Sequence, residues 1–222
     1  MTEAADLTSL VGHVRSASLV DAMGRLYPHR CHVLDLVSPT PERTLFGPAL
    51  TIGFVPYRVD LDLAGPYQFA ALFYQAIEEA PADAVLVLAA GGHPHVSLGG
   101  GTKLSRVENE GLAGVLADGR LRDFDQLRRY RFVTYCRGET PFAGGGTVMP
   151  LVADVPVVFD RVTVLPGDYA YADRGGAVII PGSDVRRVVE TAAEIEAEDR
   201  QMVEQIRHED PDDVRRRAGR SR

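Results

Sequence analysis

The chain is nearly devoid of lysine: Lys103 is the only one in 222 residues, and the rest of the 24 basic side chains are arginine. A Schiff-base aldolase or a pyridoxal-phosphate enzyme would have to use that one amine, so a metal ion is the expected electron sink for any carbon–carbon chemistry beside a carbonyl. Cysteine is also scarce. Cys31 and Cys136 belong to no CxxC or metal-ligand cluster, which excludes a disulfide scaffold and leaves two free thiols. No uninterrupted apolar run reaches about 18 residues. The acidic opening MTEAADLTSL has no basic region leading into an apolar stretch, so a cytoplasmic protein with no secretory leader and no membrane contact is expected. A net charge of -7 and a pI near 5.4 supply no global field for nucleic acid.

What the chain does have is an ordinary globular composition, 45% hydrophobic and 25% charged, with 22 Gly and 14 Pro implying many turns. Its length suits one domain, expected over residues 1–208, while EDPDDVRRRAGRSR at 209–222 carries too little apolar surface to pack and is expected to be a disordered charged tail. Apolar spacing predicts a helix over 6–24, a strand in CHVLDLV and another in PALTIGFVP, then a helix from near Pro66 that must end before Pro81. AVLVLAA reads as a buried strand, GGHPHVSLGGGTK as a glycine-dense loop entering a helix, and GLAGVLADGRLRD as a second buried strand. Together these form a parallel unit of strand, loop, helix and strand, to which RFVTY adds another strand after a helix around 124–129. Beyond the loop TPFAGGGTVMP, the segments VPVVF, RVTVLPGDY and AVIIP suit short antiparallel or mixed strands. A helix from Ser183 to about His208 carries the stripe Val185, Val188, Val189, Ala192, Ile195, Met202, Val203 and Ile206.

Ligands in such α/β units bind at the carboxyl ends of the strands, where the loop Gly99 to Lys103 and the segment Asp118 to Asp123 both fall. Asp123 can ligate a hard divalent cation, and the adjacent Arg122 can clamp a carboxylate or keto acid with its planar fork; a surface ion pair is the bland alternative. Gly99, Gly100 and Gly101 open a helix, so nearby amides can converge on an anion, although no nucleotide-binding fingerprint is present. His93 and His95 lack a third spaced ligand. Asp118 suits either support for the metal site or the turn at Gly119, and Asp168 and Asp173 suit turn-shaping roles. Glu194, Glu198 and Asp199 read as a solvated helix face that can also supply a carboxylate across an oligomer interface.

The segment GGTKLSRVENEGLAGVLADGRLRD resembles the RraA-like family, which includes regulators of ribonuclease activity A and class II 4-hydroxy-4-methyl-2-oxoglutarate/4-carboxy-4-hydroxy-2-oxoadipate aldolases. The family signature is a glycine, twenty residues and then Arg-Asp, and Gly101 followed by twenty residues and Arg122-Asp123 reproduces it. GLAGVLADG, PGDYAYADRGGAVIIP and the acidic terminal helix match in order, over roughly residues 7–205. The resemblance implies an α/β fold of the swivelling β/β/α kind with a mixed central sheet and a long C-terminal helix, assembled as a trimer or a dimer of trimers. It also implies Mg²⁺ or Mn²⁺ on Asp123, substrate contact by Arg122, and amides from Gly100, Gly101, Thr102 and Lys103 on a pyruvyl carboxylate. Asp199, with Glu198 close behind, would complete the site from a neighbouring subunit. Two departures stand out. Gln126 replaces the acidic residue three places after the metal aspartate, and Gly101 stands where many members are acidic. The expected function is a divalent-metal-dependent lyase acting on a small anionic 2-oxo acid, by retro-aldol cleavage releasing pyruvate or by decarboxylation of an oxaloacetate-like substrate. The alternative is a noncatalytic regulator that binds a ribonuclease or another protein.

Overall fold

The protein is described by a computed structural model over residues 3–62 and 68–219. Two helices, α1 (Glu3–Val11) and α2 (Ser16–Leu26), stand where a single one is expected. The break has a tertiary cause: the Asp173 carboxylate accepts hydrogen bonds from the Ser16 amide at 2.9 Å and the Ser16 hydroxyl at 2.7 Å. Arg15 meanwhile reaches Glu196 with two nitrogens, at 2.9 and 2.7 Å. These partners come from residues more than 150 positions away, so apolar spacing within 6–24 carries no trace of them.

The chain continues through β1 (His32–Val33), β2 (Leu45–Pro56), α3 (Val59–Asp62), α4 (Phe69–Ala76), β3 (Val85–Ala89), β4 (Ser97–Gly99), α5 (Gly101–Asn109), β5 (Gly114–Ala117), β6 (Arg120–Leu121), α6 (Phe124–Leu127) and β7 (Val133–Tyr135). The start expected near Pro66 for the helix that became α4 falls outside the described residues. There follow β8 (Val148–Ala153), β9 (Val157–Phe159), β10 (Val162–Val164), β11 (Tyr169–Asp173), β12 (Gly176–Ile180), α7 (Val185–Arg207) and α8 (Pro211–Gly219).

A mixed sheet runs in the order β1-β12-β11-β2-β3-β5-β7, with β8 added to β2. The pairs β2–β3, β3–β5 and β5–β7 are parallel, and all residues of β3 and β5 are buried. That is why their sequences are continuous apolar runs: helices cover one face and the β9–β10 hairpin covers the other. On the helical face, Phe69, Leu72 and Phe73 of α4 and Leu104 and Val107 of α5 pack on Ile52, Leu86, Leu88 and Val115. The antiparallel half, β1, β12, β11 and the start of β2, is closed by α1, α2 and the first half of α7 around Tyr171, Val178 and Ile180.

β8, not foreseen as a strand, pairs antiparallel with the second half of β2, and a register shift at Gly53/Phe54 accommodates Pro150. The tail expected to be disordered is helical over Pro211–Gly219, where Arg215–Asp212 and Arg216–Asp213 pairs lie one turn apart on an exposed surface. In α7 the apolar stripe is buried through Ile195, but Met202, Val203 and Ile206 are 55, 51 and 54% exposed. Among the described residues no helix is long and apolar enough to cross a membrane.

Candidate active site

The parallel strands and their loops place the glycine-rich segment against the Arg-Asp pair. β4 and β6 run parallel as a separate two-stranded ribbon, and the Arg122 amide donates to the Gly99 carbonyl at 3.0 Å. The next residue, Asp123, adopts a left-handed conformation at φ 63°, which aspartate tolerates better than most side chains. This turn swings its carboxylate to the start of α5, where Oδ2 accepts the Gly101 amide at 3.0 Å. The Glu139 carboxylate accepts the Phe124 amide at 2.8 Å and secures the following turn.

Glycine is required here for room. A Cβ on Gly100 would lie 2.6 Å from Asp123 Oδ2 and 2.9 Å from Arg122 Cβ. A Cβ on Gly101 would lie 2.2 Å from Gln126 Oε1. Gln126 donates to the Tyr130 hydroxyl at 2.7 Å, and that hydroxyl donates to the Gly101 carbonyl at 2.9 Å. The two departures from the family pattern are therefore one feature: Gln126 occupies the space that a side chain at position 101 would need.

These elements line a cavity of about 800 Å³. Gly99, Gly100, Thr102, Lys103, Arg122 and Asp123 contribute one side. Phe54, Tyr57, Gln68, Phe69, Ser97, the run Ala143 to Gly146, and Val148 to Pro150 contribute the rest. Sequence reasoning missed this second group. Its one visible signal was the run Gly144-Gly145-Gly146, and only the structure shows that a Cβ on Gly144 would meet the Ser97 carbonyl oxygen at 2.1 Å.

The Lys103 ammonium lies 4.8 Å from the Phe69 ring centroid and donates to the Leu98 carbonyl at a long 3.4 Å. Burial, and then the neighbouring Arg106, hold its pKa below the usual amine range. Among the described residues neither Lys103 nor Arg122 forms an ion pair. The first-turn amides of α5 have no partner one turn back in the helix, and the Gly101 amide is the one that Asp123 takes.

Other expected residues lie elsewhere. Asp118 does not line the cavity; its two oxygens accept the amides of Ala90 and Asp160, pinning the end of β3 to the β9–β10 turn. Its burial raises its pKa against the pull of those donors. His93 and His95 sit in the loop before β4, outside the cavity lining. Asp168 and Asp173 shape turns by accepting the Leu165 and Gly175 amides. Glu194 and Asp199 are exposed, and Glu198 pairs with Arg25 at 3.5 Å. The thiols are buried and free, and burial pushes that of Cys136 up to about 11.

The donor chemistry bears on which metal could bind. No cluster of three or more His, Cys, Asp or Glu suited to a metal exists among the described residues. A single exposed carboxylate does not suit zinc, but it suits a hard cation that keeps most of its waters, as Mg²⁺ does. Asp123 fits that requirement, with Oδ2 already oriented by the Gly101 amide.

Fold and cavity together define an α/β protein whose cavity, lined by Lys103, Arg122 and Asp123, sits at the ends of the parallel strands β4 and β6. The chain belongs to the RraA-like family (Aldolase/RraA), whose sequence profile matches residues 16–179. A relative from Halalkalibacterium halodurans that bears the provisional name 4-hydroxy-4-methyl-2-oxoglutarate aldolase is 30% identical over 125 residues, 56% of this chain and 59% of that protein. The match therefore spans less than two thirds of that relative's length. One of the same provisional name from Burkholderia mallei is 31% identical over 136 residues, 57% of this chain and 79% of that protein. The crystal structure of Streptomyces coelicolor RraAS2, described as an unusual member of the RNase ES inhibitor RraA protein family, superposes with a TM-score of 0.75 at 28% identity, covering 91% of this chain and 98% of that one.

Proposed function

We propose that the protein is a divalent-metal-dependent lyase that cleaves a small 2-oxo acid, by retro-aldol reaction releasing pyruvate or by decarboxylation of an oxaloacetate-like substrate. The observation that carries this reading is the meeting of Asp123, Arg122 and the opening of α5 at one cavity. Mg²⁺ or Mn²⁺ held by Asp123 would supply a Lewis acid for the substrate carbonyl. The chain's own groups hold and orient the anion: the guanidinium of Arg122 offers a planar pair of donors to the carboxylate beside the ketone. The amides of Thr102 and Lys103, in the first turn of α5, add donors at the positive end of the helix. Phe54, Phe69 and Met149 exclude water from the carbon chain.

The protein works as a homo-oligomer, a trimer or a dimer of trimers, in which the exposed apolar end of α7 packs on a neighbour and Asp199 or Glu198 reaches the neighbour's cavity. The half-exposed Met202, Val203 and Ile206 support this arrangement.

The test is a screen of 2-oxo acids with pyruvate detection, with Mg²⁺ or Mn²⁺ and after chelation. Turnover that requires metal and falls about 10² to 10³ fold in Asp123→Ala is the expected result, equivalent to a few kcal/mol of transition-state stabilisation. Unchanged activity in that variant rules the assignment out. Because the one lysine lies in the same cavity, borohydride trapping belongs in the screen; substrate-dependent labelling of Lys103 that persists with chelator would replace the metal with an amine. The kinship with RraAS2 favours a second reading, a regulator that binds a ribonuclease or another protein. Tight endonuclease binding without turnover would select it.

A further inference from the structure

The resemblance gives a role to the backbone amide of Lys103 and none to its side chain, which lines the cavity. Its ammonium is partly buried beside the Phe69 ring, with one long hydrogen bond to a carbonyl and no carboxylate partner among the described residues. Removing an ammonium from water without an acidic partner is unfavourable, so the arrangement is one that an anionic ligand would improve. The balance of the lining points the same way. Among the described residues Lys103 and Arg122 are its cations and Asp123 is its only acid, and a divalent cation on Asp123 makes the excess of positive charge larger.

The two cations also differ in kind. Arg122 presents a flat fork suited to the carboxylate beside a ketone, whereas Lys103 is a compact point charge with three donors, able to meet a terminal carboxylate from several directions. The wall formed by Phe54, Val148 and Met149 is apolar, as the carbon chain joining two charged ends requires.

We propose that the Lys103 side chain is a specificity-determining residue, a second anion anchor that selects 2-oxo acids carrying a further carboxylate at the end remote from the ketone. This rests on the reading of the cavity as a 2-oxo acid site. It is separate from the expectation that the Lys103 backbone amide faces the carboxylate beside the ketone.

The experiment compares two five-carbon ligands that differ only in the distal charge, 2-oxoglutarate and 2-oxopentanoate, by titration calorimetry with and without Mg²⁺. Wild type, Lys103→Met and Lys103→Arg are measured, with a thermal melt to establish that each variant folds. Met keeps most of the length of the side chain while removing the charge. Wild type binds 2-oxoglutarate at least about tenfold more tightly than 2-oxopentanoate, Lys103→Met abolishes that preference while holding 2-oxopentanoate within about twofold, and Lys103→Arg keeps most of it. No preference in wild type, the same preference in Lys103→Met, or an equal loss for both ligands overturns the proposal. If neither ligand binds, both the proposal and the 2-oxo acid reading fail. If the preference is found but no 2-oxo acid is turned over, the anion anchor stands and the lyase reading falls.

Discussion

Gly100→Ala tests the geometry of the site without altering any group that carries its chemistry. The added methyl would sit 2.6 Å from Asp123 Oδ2, whereas ordinary contact begins at 3.4 Å. Relief therefore requires about 0.8 Å of movement, and Arg122 Cβ at 2.9 Å blocks the other direction. The carboxylate is the part that can yield, and moving it breaks the bond to the Gly101 amide, a charge-assisted contact of the class that contributes about 1.5 to 3 kcal/mol. A misplacement approaching 1 Å in a catalytic constellation reduces turnover by about 10² fold. The assay is kcat/KM for pyruvate release at saturating Mg²⁺, alongside a thermal melt. The expected outcome is a loss of about 10 to 10² fold in kcat/KM with a thermal midpoint lowered by several degrees, the shift that losing about 1.5 to 3 kcal/mol produces in a domain of this size. Wild-type kinetics in a folded Gly100→Ala protein would refute the claim that the Asp123 position depends on that glycine.

Arg122→Lys keeps the charge but loses the planar fork, and kcat/KM toward each anionic substrate should fall at least about tenfold; wild-type values throughout would exclude the contact. Asp118→Ala strands the amides of Ala90 and Asp160 and should destabilise the fold by about 2 to 4 kcal/mol in urea titration, with ligand affinity unchanged; lost affinity in a fully folded variant would return Asp118 to the site. Mixing inactive Asp123→Ala subunits with inactive Asp199→Ala subunits, and separately with Glu198→Ala, should restore activity only in the mixture, because a cyclic assembly then contains some intact composite sites. An active monomer under the assay conditions would refute the shared site.

The parallel heart of the domain was legible because burial on both sheet faces forces continuous apolar runs: AVLVLAA became β3 close to its expected bounds, whereas GLAGVLADGRLRD, expected as one strand, holds the shorter β5 and then β6, which pairs with β4 instead. The turn-shaping roles of Asp168 and Asp173 were equally readable, since the bonds from the Leu165 and Gly175 amides close within a few residues. Of the site, the Gly-rich opening of α5 and the Arg-Asp pair were visible as a spacing. What spacing could not show was that Asp123 turns back onto the Gly101 amide, or that Gln126 fills the room above Gly101.

The elements that went unread are those whose reasons lie far along the chain. The break between α1 and α2 depends on Asp173 and Glu196, and β8 is a strand because the second half of β2 needs a partner. Asp118 looked like part of the site from its neighbours in sequence, yet its oxygens are taken by amides 28 and 42 residues away. Local periodicity and turn chemistry act over a few residues, so the sequence by itself determined the buried strands, the helix faces and the polar turns. Which loops meet to form the cavity, and that its one lysine stands there without an acidic partner among the described residues, was decided by tertiary structure, because a charge's partner is set by distance in space.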